Sequence, residues 1–170
     1  KLELAKFKTE ILTGQESKFG CDHVCFTTEI NPGSGFKPLN KIASGGELSR
    51  FLLAAKLCFF DEDSKKTQIF DEIDRGVGGA TASAIGKRLL ELSKHEQVLV
   101  VTHSPQVAAY SDNHLKVEKV NLDKSTITKV TTLNEENTVR EIARMLSGEL
   151  VTSEALAAAA KLRNTSKGIS

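Results

Sequence analysis

The sequence has no apolar run long enough to cross a bilayer, no excess charge of one sign, no even set of cysteines and no phosphate-cradling lysine loop. Each absence removes a class of protein. The longest apolar stretch, Phe51 to Phe60, is broken by Lys56 and is about half the length of a membrane-spanning helix. With 23 basic and 22 acidic side chains the net charge is +1, so the surface as a whole is neither a polyanion magnet nor a membrane-surface binder, although a local patch stays open. Three cysteines, Cys21, Cys25 and Cys58, cannot all pair, and no secretory leader precedes them, so a reducing cytoplasm is the expected setting and no membrane partner is expected. Glycine (12) and proline (3) are not in excess, which excludes collagen-like and low-complexity chains.

What is present is the composition of a globular chain: 170 residues, 39% apolar and 26% charged, enough to bury roughly 70% of the unfolded surface in one compact domain over residues 1–170. The chain starts at Lys1 without a methionine and alternates like a strand from its first residues, so it reads as a fragment. Ala5, Phe7, Thr9 and Ile11, and then Val24, Phe26, Thr28 and Ile30, recur at period two and predict two strands, with Gly14 and Gly20 bracketing their connection. Asn31-Pro32-Gly33-Ser34-Gly35 predicts a turn that opens a loop ending at Ser44. From Glu47 to Phe60, Leu48, Phe51, Leu52, Ala55 and Phe59 recur at helical spacing.

Thr67 to Phe70 then reads as a buried strand, followed by a Gly-rich loop, a helix whose Ile85, Leu89 and Leu92 share a face, the buried strand Val98 to Val101, and a short helix from Pro105. Strand, helix, strand, helix calls for a parallel sheet with right-handed crossovers, hence an α/β class with extra N-terminal strands. Leu115 to Val120 and Thr126 to Thr132 predict a hairpin around Asn121 to Lys124. Two helices close the chain, one striped by Val139, Ile142, Ala143 and Leu146, the other from Ser153 to Leu162, separated by Ser147-Gly148.

Three short motifs carry chemistry. Ser44-Gly45-Gly46-Glu47 is a capping box by its Ser and Glu, but two glycines in a first turn cost helix propensity. Glycine permits close backbone approach, and a helix N-terminus offers free N–H groups to a phosphate. Capping and phosphate contact both stand on these residues alone. Thr67 to Asp74 is a strand ending in carboxylates, and ligands of open parallel sheets bind outside the carboxyl ends of strands. Asp71 and Glu72 point in opposite directions on an extended chain, so one can hold Mg2+ while the other orients water in phosphoryl transfer. The alternative is an acidic solvated loop.

The glycines after this strand do not complete a dinucleotide fingerprint, because after Gly76 and Gly78 the third position is Thr81. A Walker A loop fails too: Gly86-Lys87 is followed by Arg88, its first glycine position is Thr81, and no G-x-x-x-x-G-K-[ST] occurs in the 170 residues. The third motif is Thr102-His103-Ser104-Pro105, with Ser104 as N-cap and Pro105 at the first helical position. An imidazole where a strand ends and a helix begins can contact a terminal phosphate or the attacking water; a plain loop histidine is the alternative. Cys21, His23 and Cys25 lack a second half to complete a metal site, Asp71, Glu72 and His103 lack the ligand spacing of a metallohydrolase, and Lys65-Lys66 and Lys87-Arg88 have no interleaved aromatics of a nucleic-acid patch.

In order, ASGGELSR (Ala43 to Arg50), IFDEID (Ile69 to Asp74) and VTHSPQVAA (Val101 to Ala109) resemble the signature motif, Walker B and H-loop of an ABC-type ATPase head. The approach NPGSGFKPLNKIASGGELSR, the loop GVGG after FDEID, and the tail EENTVREIARMLSGE resemble the RecN family of bacterial SMC-like DNA double-strand-break repair ATPases, from the first strands to about Leu162. Where the wider ABC pattern has an aspartate near Gly79 this chain has glycine, and Ala43 stands where leucine is common before the signature serine.

The resemblance implies the C-terminal lobe of an ABC/SMC-type P-loop head. It implies that Ser44, Gly45, Gly46 and Glu47 reach ATP held by a second head, that Asp71 helps hold Mg2+, that Glu72 is the catalytic base and that His103 senses the γ-phosphate. The implied partners are an N-terminal Walker A lobe beyond a long coiled coil, a second head in a homodimer, and DNA for the full-length protein in the bacterial nucleoid. A catalytically silent ABC-like interaction module is the competing reading, and the intact Asp71, Glu72 and His103 weigh against it.

Overall fold

The period-two alternation that opens the chain becomes an antiparallel hairpin. In the computed structural model, which describes residues 4–41, 45–58, 66–71, 73–122 and 125–168, β1 (Lys6–Ser17) pairs with β2 (Gly20–Glu29) from Lys6↔Glu29 to Ser17↔Gly20. Directly opposed residues share a face, so the register Phe7↔Thr28, Thr9↔Phe26 and Ile11↔Val24 gathers the predicted apolar set on one side. The Phe7 and Phe26 rings stack there with centroids 5.7 Å apart. The connection is shorter than Gly14 and Gly20 suggested: Lys18 and Phe19 alone separate the strands. Gly14 lies inside β1, where the His23 ring occupies the space of a side chain, 2.6 Å from an ideal Cβ.

Asn31 to Gly35 turns as expected, with Gly33 and Gly35 at φ +84° and +72°. The buried Glu29 fastens this turn, its Oε1 accepting from the Gly33 and Gly35 amides at 3.0 and 3.4 Å. The Gly33 amide, with Lys6 adding to it against the cost of burial, holds that carboxyl below the usual range. The stretch predicted as loop up to Ser44 instead adds β3 (Lys37–Pro38), antiparallel to β2, and a 3-10 turn over Leu39–Lys41. Helix α1 (Gly45–Cys58) begins two residues before its predicted start; Leu53 is buried, and the Phe51 ring lies 5.4 Å from Phe7. Residues Lys1–Cys58 form one compact unit and Phe59–Ser170 a second.

In the second unit β4 (Thr67–Asp71) and β5 (Gln97–Val101) are parallel neighbours joined through α2 (Gly79–Ser93), which buries Ala82, Ile85, Leu89 and Leu92. The expectation of fully buried strands needs correction. Phe70 is 8% exposed, but Ile69, one residue earlier on the opposite face, is 70% exposed, and its cross-strand partner Leu99 is 45% exposed. Strands apolar on both faces suit a sheet covered on both sides, and among the described residues this two-stranded sheet is covered on one.

Helix α3 (Pro105–Ala108) follows, then the antiparallel pair β6 (His114–Leu122) and β7 (Ser125–Leu133), then α4 (Glu135–Ser147) and α5 (Ser153–Lys167). Asn134 caps α4 by accepting from the Asn137 amide, and Thr152 caps α5 by accepting from that of Ala155. Gly148 at φ +82° separates the two helices, as its sequence position predicted. Small side chains let α3, α4 and α5 approach closely around Ala108, Ala109, Ile142, Ala143, Ala155 and Ala159. Helix α5 continues past the predicted end at Leu162 to a left-handed Gly168.

Candidate functional site

Parallel pairing brings two of the sequence motifs to one place. The register runs from Thr67↔Gln97 to Asp71↔Val101, so the carboxyl ends of β4 and β5 are level. Asp71 closes β4 with an exposed side chain beside Val101, and His103, also exposed, stands two residues beyond Val101. This is the sheet end at which ligands of parallel sheets are met.

Close to these exposed groups in sequence lie buried ones. Ile73 is fully buried and Asp74 is 3% exposed. Asp74 Oδ2 accepts from Thr102 Oγ1 at 2.6 Å and from the Ser104 amide at 3.1 Å, and that amide also donates to Thr102 Oγ1 at 2.9 Å. One carboxylate oxygen therefore holds both neighbours of His103. Its other oxygen, Oδ1, is buried without a hydrogen-bond partner among the described residues. Gly76 at φ +71° carries the chain away from Asp74 toward Gly78, the N-cap of α2. Ser104 occupies the predicted cap position of α3, its carbonyl accepting from Val107 and Ala108 amides, but its hydroxyl donates to Gln106 Oε1 rather than capping the helix.

No protein-family model matches the chain. The chain is 47% identical over 163 residues to the DNA repair protein RecN of Rickettsia felis, covering 95% of this chain and 30% of that protein. It is 45% identical over 163 residues to RecN of Haemophilus influenzae, covering 95% of this chain and 29% of that protein. The chain belongs to the RecN family. It spans about 30% of the length of the curated relatives it matches.

Solved structures place the fold of this RecN-family chain with SMC ATPase heads. The Smc head domain with a coiled coil and joint from Pyrococcus yayanosii superposes with a TM-score of 0.57 at 18% identity, covering 83% of this chain and 26% of that one. The Smc head bound to the C-winged helix domain of ScpA gives a TM-score of 0.54 at 21% identity, covering 79% and 39%.

Of the predicted site residues in this RecN-family chain, Asp71 and His103 are brought to the same sheet end. Gly45 and Gly46 are the first two residues of α1, where backbone N–H groups have no partner within the helix. Ser44, Glu72 and the Glu47 side chain lie outside the described residues, as does the choice between capping and phosphate contact that depends on them. A magnesium nucleotide fits the donor present: Mg2+ takes one or two carboxylates and completes its shell with phosphate and water oxygens, and Asp71 offers an exposed carboxylate. Among the described residues no three His, Cys, Asp or Glu side chains converge as a metal cage, Cys21, His23 and Cys25 included. The sequence motifs gave no role to Asp74, the buried carboxylate that the structure places between the ends of β4 and β5. Its signal was an acid two residues past the DE pair, facing a threonine just before the histidine.

Proposed function

We propose that this chain is the C-terminal part of an SMC-like ATPase head that uses ATP and Mg2+ in DNA double-strand-break repair, in the bacterial cytoplasm. The single observation that carries the proposal is the level pairing of β4 and β5, which sets Asp71 and the His103 loop at one sheet end in a chain of the RecN family. A silent interaction module would gain nothing from those side chains.

In this reading Walker A comes from another part of the full-length protein, because the 170 residues contain no such loop. Asp71 would hold Mg2+, which when bound would supply neutralisation of the negative charge that develops on the phosphate. Glu72 orients a water in line with the γ-phosphorus and takes its proton as the new P–O bond forms and the bond to the ADP oxygen breaks. His103 donates toward a γ-phosphate oxygen and so reports whether that group is present. Ser44, Gly45, Gly46 and Glu47 serve the ATP of a second head, and DNA is the partner of the assembled protein.

Asp71→Asn in the full-length protein tests this reading: Mg2+-dependent ATP turnover falls by about a hundredfold or more, and unchanged turnover overturns it. The separate 170-residue chain is expected to show no tight ATP binding by calorimetry. Tight stoichiometric binding would contradict the division of the site between segments.

A further inference from the structure

We infer that Asp74 is a positioning residue that sets His103 against the end of β4, so that phosphate sensing by the histidine depends on a buried carboxylate. The inference rests on the functional reading above and extends it to a residue which that reading does not use.

The turn after β5 has a hydrogen bond of its own besides those to this carboxylate, from the Ser104 amide to Thr102 Oγ1 at 2.9 Å. Asp74 is 3% exposed, with Oδ1 left unpartnered among the described residues. Burying a carboxylate with an unmet oxygen is unfavourable, and such groups call for a specific explanation. What Asp74 adds is long range: its two hydrogen bonds join the segment after β4 to the segment after β5 across 28 and 30 residues of sequence.

The geometry of those bonds is specific to His103. Thr102 and Ser104 flank it, and both are held by the same oxygen, Oδ2. Bonds to both neighbours restrain the backbone of His103 at the sheet end that carries Asp71. The imidazole stays exposed and free to meet a ligand while its attachment is anchored in the core. Support of this kind, from a buried group to the loop that carries a reactive one, is what holds a site at working geometry.

The test is steady-state ATP hydrolysis by the full-length protein. Asp74→Asn keeps the side-chain shape but replaces one carboxylate oxygen by a donor; it lowers kcat about tenfold or more while KM stays within about threefold. Thr102→Val removes one of the two donors and lowers kcat by less, and Thr102→Ser, which restores the hydroxyl, recovers most of that loss. The deciding measurement is a double-mutant cycle with His103→Ala. If Asp74 acts through His103, Asp74→Asn costs no more than about twofold in the His103→Ala background.

An equal loss in both backgrounds overturns the inference, as does an unchanged kcat in Asp74→Asn where His103→Ala is slow; both leave the ATPase reading standing. If His103→Ala itself leaves kcat unchanged, the sensing role fails and this inference fails with it. Should Asp74→Asn not fold, the same cycle is run with Thr102→Val, whose loss must likewise vanish in the His103→Ala background.

Discussion

Arg163, 2% exposed in the middle of α5, donates twice to Glu135 at the start of α4, Nε to Oε1 at 2.9 Å and Nη2 to Oε2 at 3.1 Å. Its Nη1 donates to the Ala109 carbonyl at 2.8 Å and to that of Ser111. One side chain thus ties α5 to α4 and to the chain leaving α3. Arg163→Met leaves two carbonyls without that donor and Glu135 without its cation, and is expected to cost about 3 kcal/mol of stability. A lowered urea midpoint with an unchanged slope checks this.

Acid should lower the stability of this unit over two pH ranges. Burial, with Arg163 adding to it and Glu141 opposing, holds His114 below its ordinary value of 6.5, and its Nδ1 is buried without a hydrogen-bond partner among the described residues. Folded His114 therefore binds its proton less readily than the unfolded chain does, and stability falls as pH drops below 6.5. Arg163 pulls Glu135 from 4.5 down to about 2, Lys167 adding to this and burial opposing. That contribution is full above 4.5 and is lost as pH falls toward about 2. Because Glu135 is 58% exposed, screening keeps it to on the order of 1 kcal/mol. Melting temperature against pH checks both ranges: His114→Gln should remove the first loss and Glu135→Gln the second.

Gly86 lies against an aromatic face. A Cβ there would come within 2.4 Å of Tyr110 Cδ2 and 3.0 Å of Cε2, so the methyl added in Gly86→Ala has to push the ring aside. Overpacking of this kind costs about 1–3 kcal/mol, more than the up to about 1 kcal/mol alanine gains in helix propensity. Thermal denaturation should show Gly86→Ala destabilised, with the penalty much reduced in a Tyr110→Leu background. Equal penalties in the two backgrounds would mean that the ring is not the obstacle.

Local period was readable, and with it the parallel pairing of β4 and β5; side-chain partners far apart in sequence were not. Ile85, Leu89 and Leu92 fixed the buried face of α2 because three side chains at helical spacing need only one neighbour to pack on. The strands flanking α2 were legible for the same reason, as were Asp71 and His103 at their ends. Asp74 was missed because its partners lie 28 and 30 residues away and nothing in the local pattern marks a buried acid. Helix α5 was drawn too short because apolar spacing fades after Leu162, where Arg163 takes a core position by means of its hydrogen bonds. Gly14 does not bound the hairpin connection, because its missing side chain accommodates the His23 ring within the strand.

The central claim is that this chain carries the hydrolytic carboxylate of an ATPase head, and Glu72→Gln in the full-length protein tests it most directly. ATP turnover and nucleotide-dependent association of heads are measured side by side. Removing a general base while keeping its shape should lower kcat by about a hundredfold or more, within the range such groups contribute, and should leave ATP-dependent association intact. Turnover equal to that of the unmodified protein would contradict the claim.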